Sequence, residues 1–237
     1  MNTVLSLRGV SLYYPMSRKT RKKGVPEFGI SKINLELSSG TSLGIIGRNG
    51  SGKSTLLKVM AGVFPPDTGE ILVKGSISLL SGVGVGFHRD LTGRENSYLY
   101  GALMGKSEKE TSAHIEEIKD FSELNHHFEL PMRIYSSGMK ARLGISVATA
   151  FKPEILMIDE VLGVGDISFK EKSQDRVKKM ISESGTVIIV SHSMAFIKQL
   201  CDEIIVMEKG SIYFRGDPEE GVKQYMSLLS LKDNESK

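Results

Sequence analysis

The sequence predicts an α/β protein in which a core of strands and helices is interrupted by a helical segment. Short runs of apolar residues with strand character occur towards both ends of the chain. Helical patterns of apolar residues separate these runs. The middle of the chain, about residues 87–143, contains helical patterns and no convincing strand. Together these observations predict an α/β core with a helical insertion.

The strand predictions rest on short runs of branched and other apolar residues bounded by turn residues. In chain order they are Val4–Leu7, Ile33–Leu37, Ser42–Ile46, Ile71–Val73, Ile77–Leu80, Ile155–Ile158, Val187–Val190, Ile204–Met207 and Ser211–Phe214.

The helix predictions rest on apolar residues at helical spacing and on polar residues that begin a helix. The predicted helices begin at Lys53, Arg94, Glu108, Ser137, Ser168, Ser193 and Pro218. The pattern predicts one domain over 1–237, with an α/β core at 1–86 and 144–237 and a helical subdomain at 87–143. Asp217 is expected to cap the last helix.

Composition excludes several classes of function. The formal net charge of +3 is too small to argue for a nucleic-acid partner, which needs a strongly basic face. A single cysteine allows neither an intrachain disulfide nor a metal site built from cysteines. The first residues lack the pattern of a secretion signal, and the apolar runs fall short of the roughly 20 residues of a membrane helix. We therefore expect a cytoplasmic protein that reaches a membrane only through a partner.

A glycine-rich segment between a predicted strand and a predicted helix has the composition of a phosphate-binding loop. Gly47-Arg-Asn-Gly-Ser-Gly-Lys-Ser-Thr55 fits the pattern G-x-x-x-x-G-K-[ST] in the strand–loop–helix context that the motif requires. Glycines let backbone N–H groups surround phosphate oxygens, and the helix that follows directs its positive end at the same anion. The residues of this loop predicted to bind the phosphates of a nucleotide are Gly47, Asn49, Gly50, Ser51, Gly52, Lys53, Ser54 and Thr55.

Two adjacent acids follow an apolar strand, as expected for a site that binds a metal ion and activates water. Asp159 and Glu160 end the run Ile155–Ile158. We expect Asp159, with the Ser54 hydroxyl, to hold Mg²⁺, and Glu160 to act as the general base towards the attacking water. His192, just after another predicted strand, is a second catalytic candidate, which would contact the γ-phosphate and hold the water.

A further motif narrows the class of nucleotide-binding protein. Tyr135-Ser-Ser-Gly-Met139 precedes a predicted helix and resembles the LSGGQ signature of ABC transporter cassettes. The resemblance spans about residues 3–225. It implies a P-loop NTPase core of the RecA-like kind, with an antiparallel β subdomain and an inserted α-helical subdomain.

The resemblance also implies roles for residues outside the phosphate loop. Ser136, Ser137 and Gly138 would contact the γ-phosphate of ATP held by a second copy, so that hydrolysis requires a homodimer. Asp166 lies in a segment that resembles the loop linking the two composite sites. Tyr14 resembles the aromatic residue that stacks on adenine.

Three segments resemble the cassettes of exporters that move lipid-linked polysaccharides such as O-antigen, capsule or teichoic acid. They are Gly86–Asn96, Tyr135–Leu143 and Asp159–Asp166. The resemblance implies an ATPase on the cytoplasmic face of the inner membrane, with an integral membrane permease dimer as partner and a lipid-linked glycan as cargo. ATP and Mg²⁺ are the cofactors implied.

The chain departs from the general cassette pattern in two places. Met139 replaces the usual glutamine of the signature, and Ser137 replaces its first glycine. No glutamine occurs between Gly75 and Glu95, where cassettes usually carry one that senses the metal and couples to the membrane partner. The glycine-rich segment Leu80–His88 is expected to take that place and to be flexible.

Two further expectations concern a loop and the end of the chain. Five cations between Arg18 and Lys23 form either a solvated loop or a surface that attracts anionic lipid head groups. Some O-antigen cassettes carry a C-terminal β-rich domain that recognises the glycan. Only about ten residues follow the last predicted helix, Pro218–Leu229, so no such domain is predicted.

Other functions remain open at this level. The same ATPase could serve another cargo, such as a lipid, a drug or an imported solute. A non-transport cassette ATPase is disfavoured because those usually fuse two cassettes or insert long coiled coils. A small-molecule kinase is disfavoured by the signature and by the Asp159-Glu160 pair.

Overall fold

The computed structural model describes residues 2–14, 29–81, 86–159, 167–183 and 185–235. In chain order its elements are β1 (Thr3–Tyr13), β2 (Gly29–Ser38), β3 (Ser42–Gly47), α1 (Lys53–Met60), β4 (Thr68–Val73), β5 (Ile77–Ser81), α2 (Gly93–Leu103), α3 (Glu108–Ser112), α4 (Ile115–Ser122), two 3₁₀ turns (Asn125–Glu129 and Met132–Ile134), α5 (Ser137–Ala148), β6 (Ile155–Asp159), α6 (Ile167–Glu183), β7 (Thr186–Val190), α7 (Met194–Leu200), β8 (Glu203–Glu208), β9 (Ser211–Gly216) and α8 (Pro218–Glu235).

The chain forms two compact units. The first comprises Met1–Gly75 and Gly185–Lys237, and the second comprises Ser76–Ser184. The second unit contains the helical segment and also strands β5 and β6. The narrower subdomain boundaries expected from the sequence, 87–143, stay a prediction.

An antiparallel sheet of three strands lies in the first unit, in the order β2-β1-β4. Alternate residues of β2, namely Ile33, Leu35 and Leu37, are buried, as expected when one face of a sheet covers the core. Strand β1 extends to Tyr13, beyond the predicted end at Leu7, because its pairing with β2 continues across register shifts. Such irregular pairing leaves no simple alternation in the sequence.

The remaining strands of the first unit bring three carboxyl ends to one edge. Strand β3 pairs in parallel with β7 and with β8, and β9 is antiparallel to β8. Every residue of β7 is buried, as is typical of parallel strands covered on both faces. Because β3 ends in the glycine-rich segment, this edge is where a ligand of the loop would lie.

The second unit packs helices α2, α4 and α5 around an apolar core. Ile118, Phe128, Leu143 and Val147 are fully buried there. Two helices begin with reciprocal capping boxes, Thr92 with Glu95 on α2 and Ser107 with Glu110 on α3. In the same unit, β5 and β6 form a parallel pair.

All seven predicted helix starts agree with the structure to within one residue. Asp217 caps α8 as expected, since its carboxylate accepts from the N–H groups of Glu219 (2.9 Å) and Glu220 (3.1 Å). None of the helices in the described segments has the length and apolar character needed to cross a membrane.

Candidate nucleotide-binding site

The phosphate loop connects the carboxyl end of β3 to the start of α1. Gly47 is the last residue of β3, and a Cβ atom there would lie 2.4 Å from the Met207 carbonyl oxygen. Gly52 precedes α1 with a φ of 100°, and a Cβ atom there would lie 3.0 Å from the Gly29 carbonyl oxygen. Both positions therefore require glycine, because each lacks space for a side chain and each has a positive φ, which is 153° at Gly47.

Lys53 places its ammonium group inside this loop. The residue is 7% exposed, and its Nζ donates to the carbonyl oxygens of Gly47 (2.8 Å) and Arg48 (2.9 Å). A lysine held in this way keeps its positive charge at the loop rather than in solvent. The loop thereby combines a fixed cation with backbone N–H groups at a helix start, which is the chemistry that binds phosphate.

The serine and threonine side chains of the loop lie in different environments. The Ser51 hydroxyl is buried and has no hydrogen-bond partner among the described residues. Ser54, in the first turn of α1, is exposed, while Asn49 and Gly50 form the exposed tip of the loop. An orphaned buried hydroxyl beside a fixed ammonium group fits a site that is completed by a polar ligand.

Tyr14 lies beside the phosphate loop. Its hydroxyl is 3.2 Å from Oγ1 of Thr55, in the first turn of α1. Its ring contacts Phe64 edge to face, with the ring centroids 6.3 Å apart. The side of Tyr14 away from these contacts remains accessible, since the residue is 42% exposed. This arrangement fits the predicted stacking role, which stays a prediction.

His192 lies at the same sheet edge as the phosphate loop. It follows β7 by two residues, and the last residue of β7, Val190, is opposite Ile45 of β3. Since Gly47 follows Ile45 by two residues, the parallel register brings the two segments to one edge. His192 is exposed, and Ser193 caps α7 by accepting from the N–H of Phe196 at 3.3 Å. The first unit thus places the phosphate loop, Tyr14 and His192 near one edge.

In the second unit, Asp159 ends strand β6. It lies opposite Ser81 in the parallel pairing of β5 with β6 and is partly buried. The buried run before it, Ile155–Ile158, holds the strand within the unit. Glu160 and Asp166, the other acids singled out from the sequence, lie outside the described residues.

The signature segment forms the start of α5. Ser136 is the capping residue, and its hydroxyl accepts from the N–H of Met139 at 3.2 Å. Ser136 and Ser137 are exposed, and Gly138 is half-buried. These three residues therefore present a capped helix start to the surroundings, as the motif requires.

Tyr135 anchors the residues that lead into this helix. Its hydroxyl donates to the carbonyl oxygen of His127 at 2.6 Å, and the residue is 5% exposed. Burial raises the pKa of Tyr135 to about 12. The phenol is therefore neutral at physiological pH and serves as a hydrogen-bond donor.

Sequence reasoning missed the backbone that supports the phosphate loop from outside. Gly210 donates its N–H to the Ser51 carbonyl oxygen at 3.0 Å and accepts from the N–H of Ser31 at 2.8 Å. A Cβ atom at Gly210 would lie 2.6 Å from the carbonyl oxygen of Gly29. Lys209-Gly210 separates two predicted strands, but nothing in the sequence connects this turn to Ser51.

Asn96 ends a segment that was singled out from the sequence, but its contacts were not predicted. This fully buried side chain accepts from the His88 N–H at 2.7 Å and donates to the carbonyl oxygens of His88 (3.0 Å), Leu91 (3.1 Å) and Thr92 (2.9 Å). Leu80 and Ser81 belong to β5, so both ends of the segment expected to be flexible are structured. Residues 82–85 lie outside the described residues.

This chain has a strand, then a glycine-rich loop that holds a lysine, then a helix start. These three features together define a P-loop nucleotide-binding protein. A family model described as ABC transporter matches residues 30–163 of the chain. The chain belongs to the ABC transporter family. It is therefore an ATP-binding subunit, an ATPase coupled to transport, as the sequence predicted.

Curated relatives share much of this sequence. The O-antigen export system ATP-binding protein RfbE of Yersinia enterocolitica is 43% identical over 82% of this chain and 81% of its own length. RfbB of Myxococcus xanthus, with the same description, is 41% identical over 86% of this chain, and the match spans only 47% of its own length. The teichoic acids export ATP-binding protein TagH of Shouchella clausii is 35% identical over 97% of this chain and 67% of its own length.

The fold agrees with that of solved cassettes. A dimeric ATP-binding cassette in a post-hydrolysis state, bound to ADP and phosphate, superposes with a TM-score of 0.71 and 22% identity, covering 90% of this chain and 98% of that chain. At that identity the likeness concerns the fold alone. The predicted fold class and family are confirmed.

Proposed function

We propose that this chain hydrolyses ATP to power export of a lipid-linked polysaccharide of the O-antigen type across the cytoplasmic membrane, through a separate transmembrane partner. The observation that carries the ATPase part is the Lys53 ammonium group held by two carbonyl oxygens inside the loop between β3 and α1. The similarity to relatives named as O-antigen export ATP-binding proteins supports the cargo.

In this proposal the phosphate loop binds the phosphates of ATP. Backbone N–H groups of residues 47–55 donate to phosphate oxygens, and Lys53 neutralises the β- and γ-phosphates. The orphaned Ser51 hydroxyl provides a further polar group at the loop. Tyr14 stacks on adenine, supported by its contacts to Thr55 and Phe64.

The same site would hold Mg²⁺ through the Ser54 hydroxyl and, by way of water, through Asp159. A bound Mg²⁺ ion would offset the negative charge that develops on the phosphates. This ion prefers oxygen ligands. The hydroxyl in the first turn after the phosphate loop and the carboxylate at the end of an apolar strand both provide oxygen atoms.

Glu160 and His192 carry the chemical step in this proposal. The Glu160 carboxylate accepts a proton from the attacking water, and His192 orients that water and contacts the γ-phosphate. The exposed position of His192 at the edge that holds the phosphate loop supports its role.

We further propose that the working unit is a homodimer. Ser136, Ser137 and Gly138 would contact the γ-phosphate of ATP bound to the other copy, and Asp166 would link the two sites. The start of α5 is exposed and already capped. This supports the role, because an anion can reach the helix start without any change in the helix.

The partner in the membrane would be a permease dimer, with this chain on its cytoplasmic face. The described residues include no helix that could cross a bilayer, so a separate permease is consistent with the proposal. The basic residues Arg18–Lys23, which lie outside the described residues, would adjoin the permease and attract anionic lipid head groups.

A second cargo has its own support. The relative named for teichoic acids export aligns over 97% of this chain. Both cargoes are lipid-linked polymers, and the ATPase chemistry would be the same for either. The identity of the polymer that accumulates when hydrolysis is blocked therefore decides between them.

Replacing Glu160 with glutamine tests the function as a whole. If Glu160 is the general base, Glu160→Gln should lower ATP hydrolysis by roughly 10²–10⁴-fold and leave ATP binding intact. In the source cell, lipid-linked polysaccharide should then accumulate inside while surface polysaccharide declines. The measurements are phosphate release by the purified chain and localisation of the glycan in cells.

Glu154 offers a matched control, since it precedes β6 at the opposite end from Glu160 and is exposed. Glu154→Gln should change neither hydrolysis nor export. Normal surface polysaccharide in cells whose Glu160→Gln protein has lost ATPase activity would refute the proposed cargo and leave the ATPase assignment standing.

A further inference from the structure

One carboxylate in the second unit joins two helices that begin at functional segments. The Glu123 carboxylate, at the end of α4, pairs with the Arg142 guanidinium of α5 at 2.5 Å and with the Lys172 ammonium of α6 at 2.7 Å. Helix α5 begins at the signature residues, and α6 begins directly after residues 160–166. Each carboxylate oxygen thus serves a different helix.

Aromatic rings support the same junction. Phe121 and Phe169 meet edge to face with centroids 5.8 Å apart. The Arg142 guanidinium lies 4.6 Å from the centroid of Phe169, and the Lys172 ammonium lies 4.7 Å from that of Phe121. Phe169 is 1% exposed, and the Arg142 side chain is 18% exposed. Water is therefore partly excluded on the Arg142 side of the junction, where these contacts are stronger than on an open surface, whereas the Glu123 and Lys172 side chains are 43% and 40% exposed and their pair contributes less.

The backbone at Glu123 has a conformation that favours glycine. Its φ is 55°, in the left-handed region, where glycine commonly ends a helix. A residue with a Cβ atom is less stable in this conformation than glycine. The contacts of the carboxylate offset that loss, and the hydrogen bonds from Lys172 and then Arg142 lower the pKa of Glu123, which keeps it ionised.

We propose that Glu123 is a positioning residue that fixes the starts of α5 and α6 relative to one another. The inference rests on the proposed function, in which Ser136–Gly138 contact the nucleotide of a second copy and Asp166 links the two sites. Holding the two helices in one arrangement before the copies meet lowers the ordering cost of dimerisation. The phosphate loop lies in the other unit, so binding of ATP to a single copy does not depend on Glu123.

The test separates ATP binding from dimerisation. The parent for this test is the full chain carrying Glu160→Gln, which should bind ATP without hydrolysing it. Its affinity for MgATP is measured with a fluorescent analogue, and its dimer dissociation constant is measured by sedimentation. Adding Glu123→Gln should weaken dimerisation about tenfold or more, the loss typical of a charge-assisted hydrogen bond. ATP affinity should stay within about twofold of the parent value.

Two further variants exclude a general loss of stability. Glu123→Gly removes the carboxylate and relieves the positive φ, so it should keep the melting temperature of the parent while weakening dimerisation as Glu123→Gln does. Glu129→Gln is the control. It removes a carboxylate that pairs with Arg94 and Lys119, neither of which lies on α5 or α6, so dimerisation should be unchanged.

Each outcome decides the matter. Weakened dimerisation in both Glu123 variants, with ATP affinity and the Glu129 control unchanged, supports the proposal. If the Glu123 variants dimerise as tightly as the parent, or if Glu129→Gln weakens the dimer equally, Glu123 is not a positioning residue and the proposed function is unaffected. If the parent does not dimerise with ATP at all, the two-copy site and this proposal both fail.

Discussion

Two helix starts, α1 and α5, are assigned to phosphates in the proposed function, and they are built differently. Helix α1 follows Gly52, which has no side chain, so no side-chain group caps its first backbone N–H groups. Helix α5 follows Ser136, whose hydroxyl occupies the capping position and accepts from the N–H of Met139. The first therefore admits a ligand into close contact with its backbone, whereas the second is complete before any ligand arrives.

The cations beside the two helix starts differ as well. Lys53 is held inside the phosphate loop by two carbonyl oxygens. Arg142, on α5, instead pairs with Glu123 at the end of α4. We infer that the α1 site binds nucleotide within one chain, while the α5 start adds contacts only when another copy brings a phosphate to it.

Removal of the loop cation should have the largest effect. Lys53→Ala is expected to lower ATP affinity by roughly 10²-fold, because truncating one member of a buried charge contact costs several kcal/mol. A fluorescent ATP analogue measures this directly on the purified chain. Lys58→Ala, in the last turn of the same helix, is the control and should bind as the parent does. Unchanged affinity in Lys53→Ala would remove the basis for the difference between α1 and α5.

A negative charge at the start of α5 should have the next largest effect. The nearest atom that a Cβ at Gly138 would meet is Oγ of Ser136 at 3.8 Å, so a side chain fits without displacing the backbone. Gly138→Asp is expected to lower ATP hydrolysis about 10²-fold, because like charges repel when the copies meet. ATP affinity of the single chain should not change.

Gly138→Ala is the matched control, which adds a side chain without charge and should retain most activity. Phosphate release, followed as a function of protein concentration, distinguishes a dimer defect from a defect in the chemical step. If Gly138→Asp hydrolyses ATP as fast as the parent at every protein concentration, the α5 start does not face a phosphate.

The Tyr135 hydrogen bond that supports the start of α5 should have a smaller effect, and on stability. Tyr135→Phe removes the hydrogen bond to the His127 carbonyl oxygen and should destabilise the second unit by about 1 kcal/mol. Thermal unfolding followed by circular dichroism measures this loss, and ATP affinity should be unaffected. An unchanged melting temperature would mean that water replaces the phenol at no cost.

The same residue predicts an alkaline dependence. The pKa of Tyr135 is raised to about 12 in the folded chain, above the ordinary value of about 10. The folded state therefore holds this proton more tightly than the unfolded state, and the contribution is complete below about pH 10 and declines as pH rises towards 12. Melting temperatures at rising pH should fall more steeply for the parent than for Tyr135→Phe, and equal slopes would contradict the assignment.

The smallest effect is expected beside α1. Tyr14→Phe removes only the exposed hydroxyl contact to Thr55 and keeps the ring, so ATP affinity should fall by less than about threefold. Tyr13→Phe, which removes a comparable contact to Ser31, is the control. If adenine stacks on the ring, Tyr14→Ala should lower affinity about tenfold, and a loss no greater than that of Tyr14→Phe would argue against stacking.

Local pattern was sufficient for much of the fold and for the centre of the site. The starts of α1, α5 and α8 were predicted at the observed residues because capping residues and apolar spacing act within a few positions. The loop 47–55 was identifiable because its glycines, lysine and hydroxyl residues are contiguous. The catalytic role of Glu160 and the linking role of Asp166 stay predictions, since both lie outside the described residues.

The sequence by itself determined the chemistry available at the α1 loop and the helix start at Ser136, because both are contiguous motifs. Only the tertiary structure decided what surrounds them. Gly210 supports the loop from 159 positions beyond Ser51, and Glu123 joins α5 to α6. Contacts of this kind join residues far apart in the chain, and no local spacing or composition records them, because they arise when separate elements pack together.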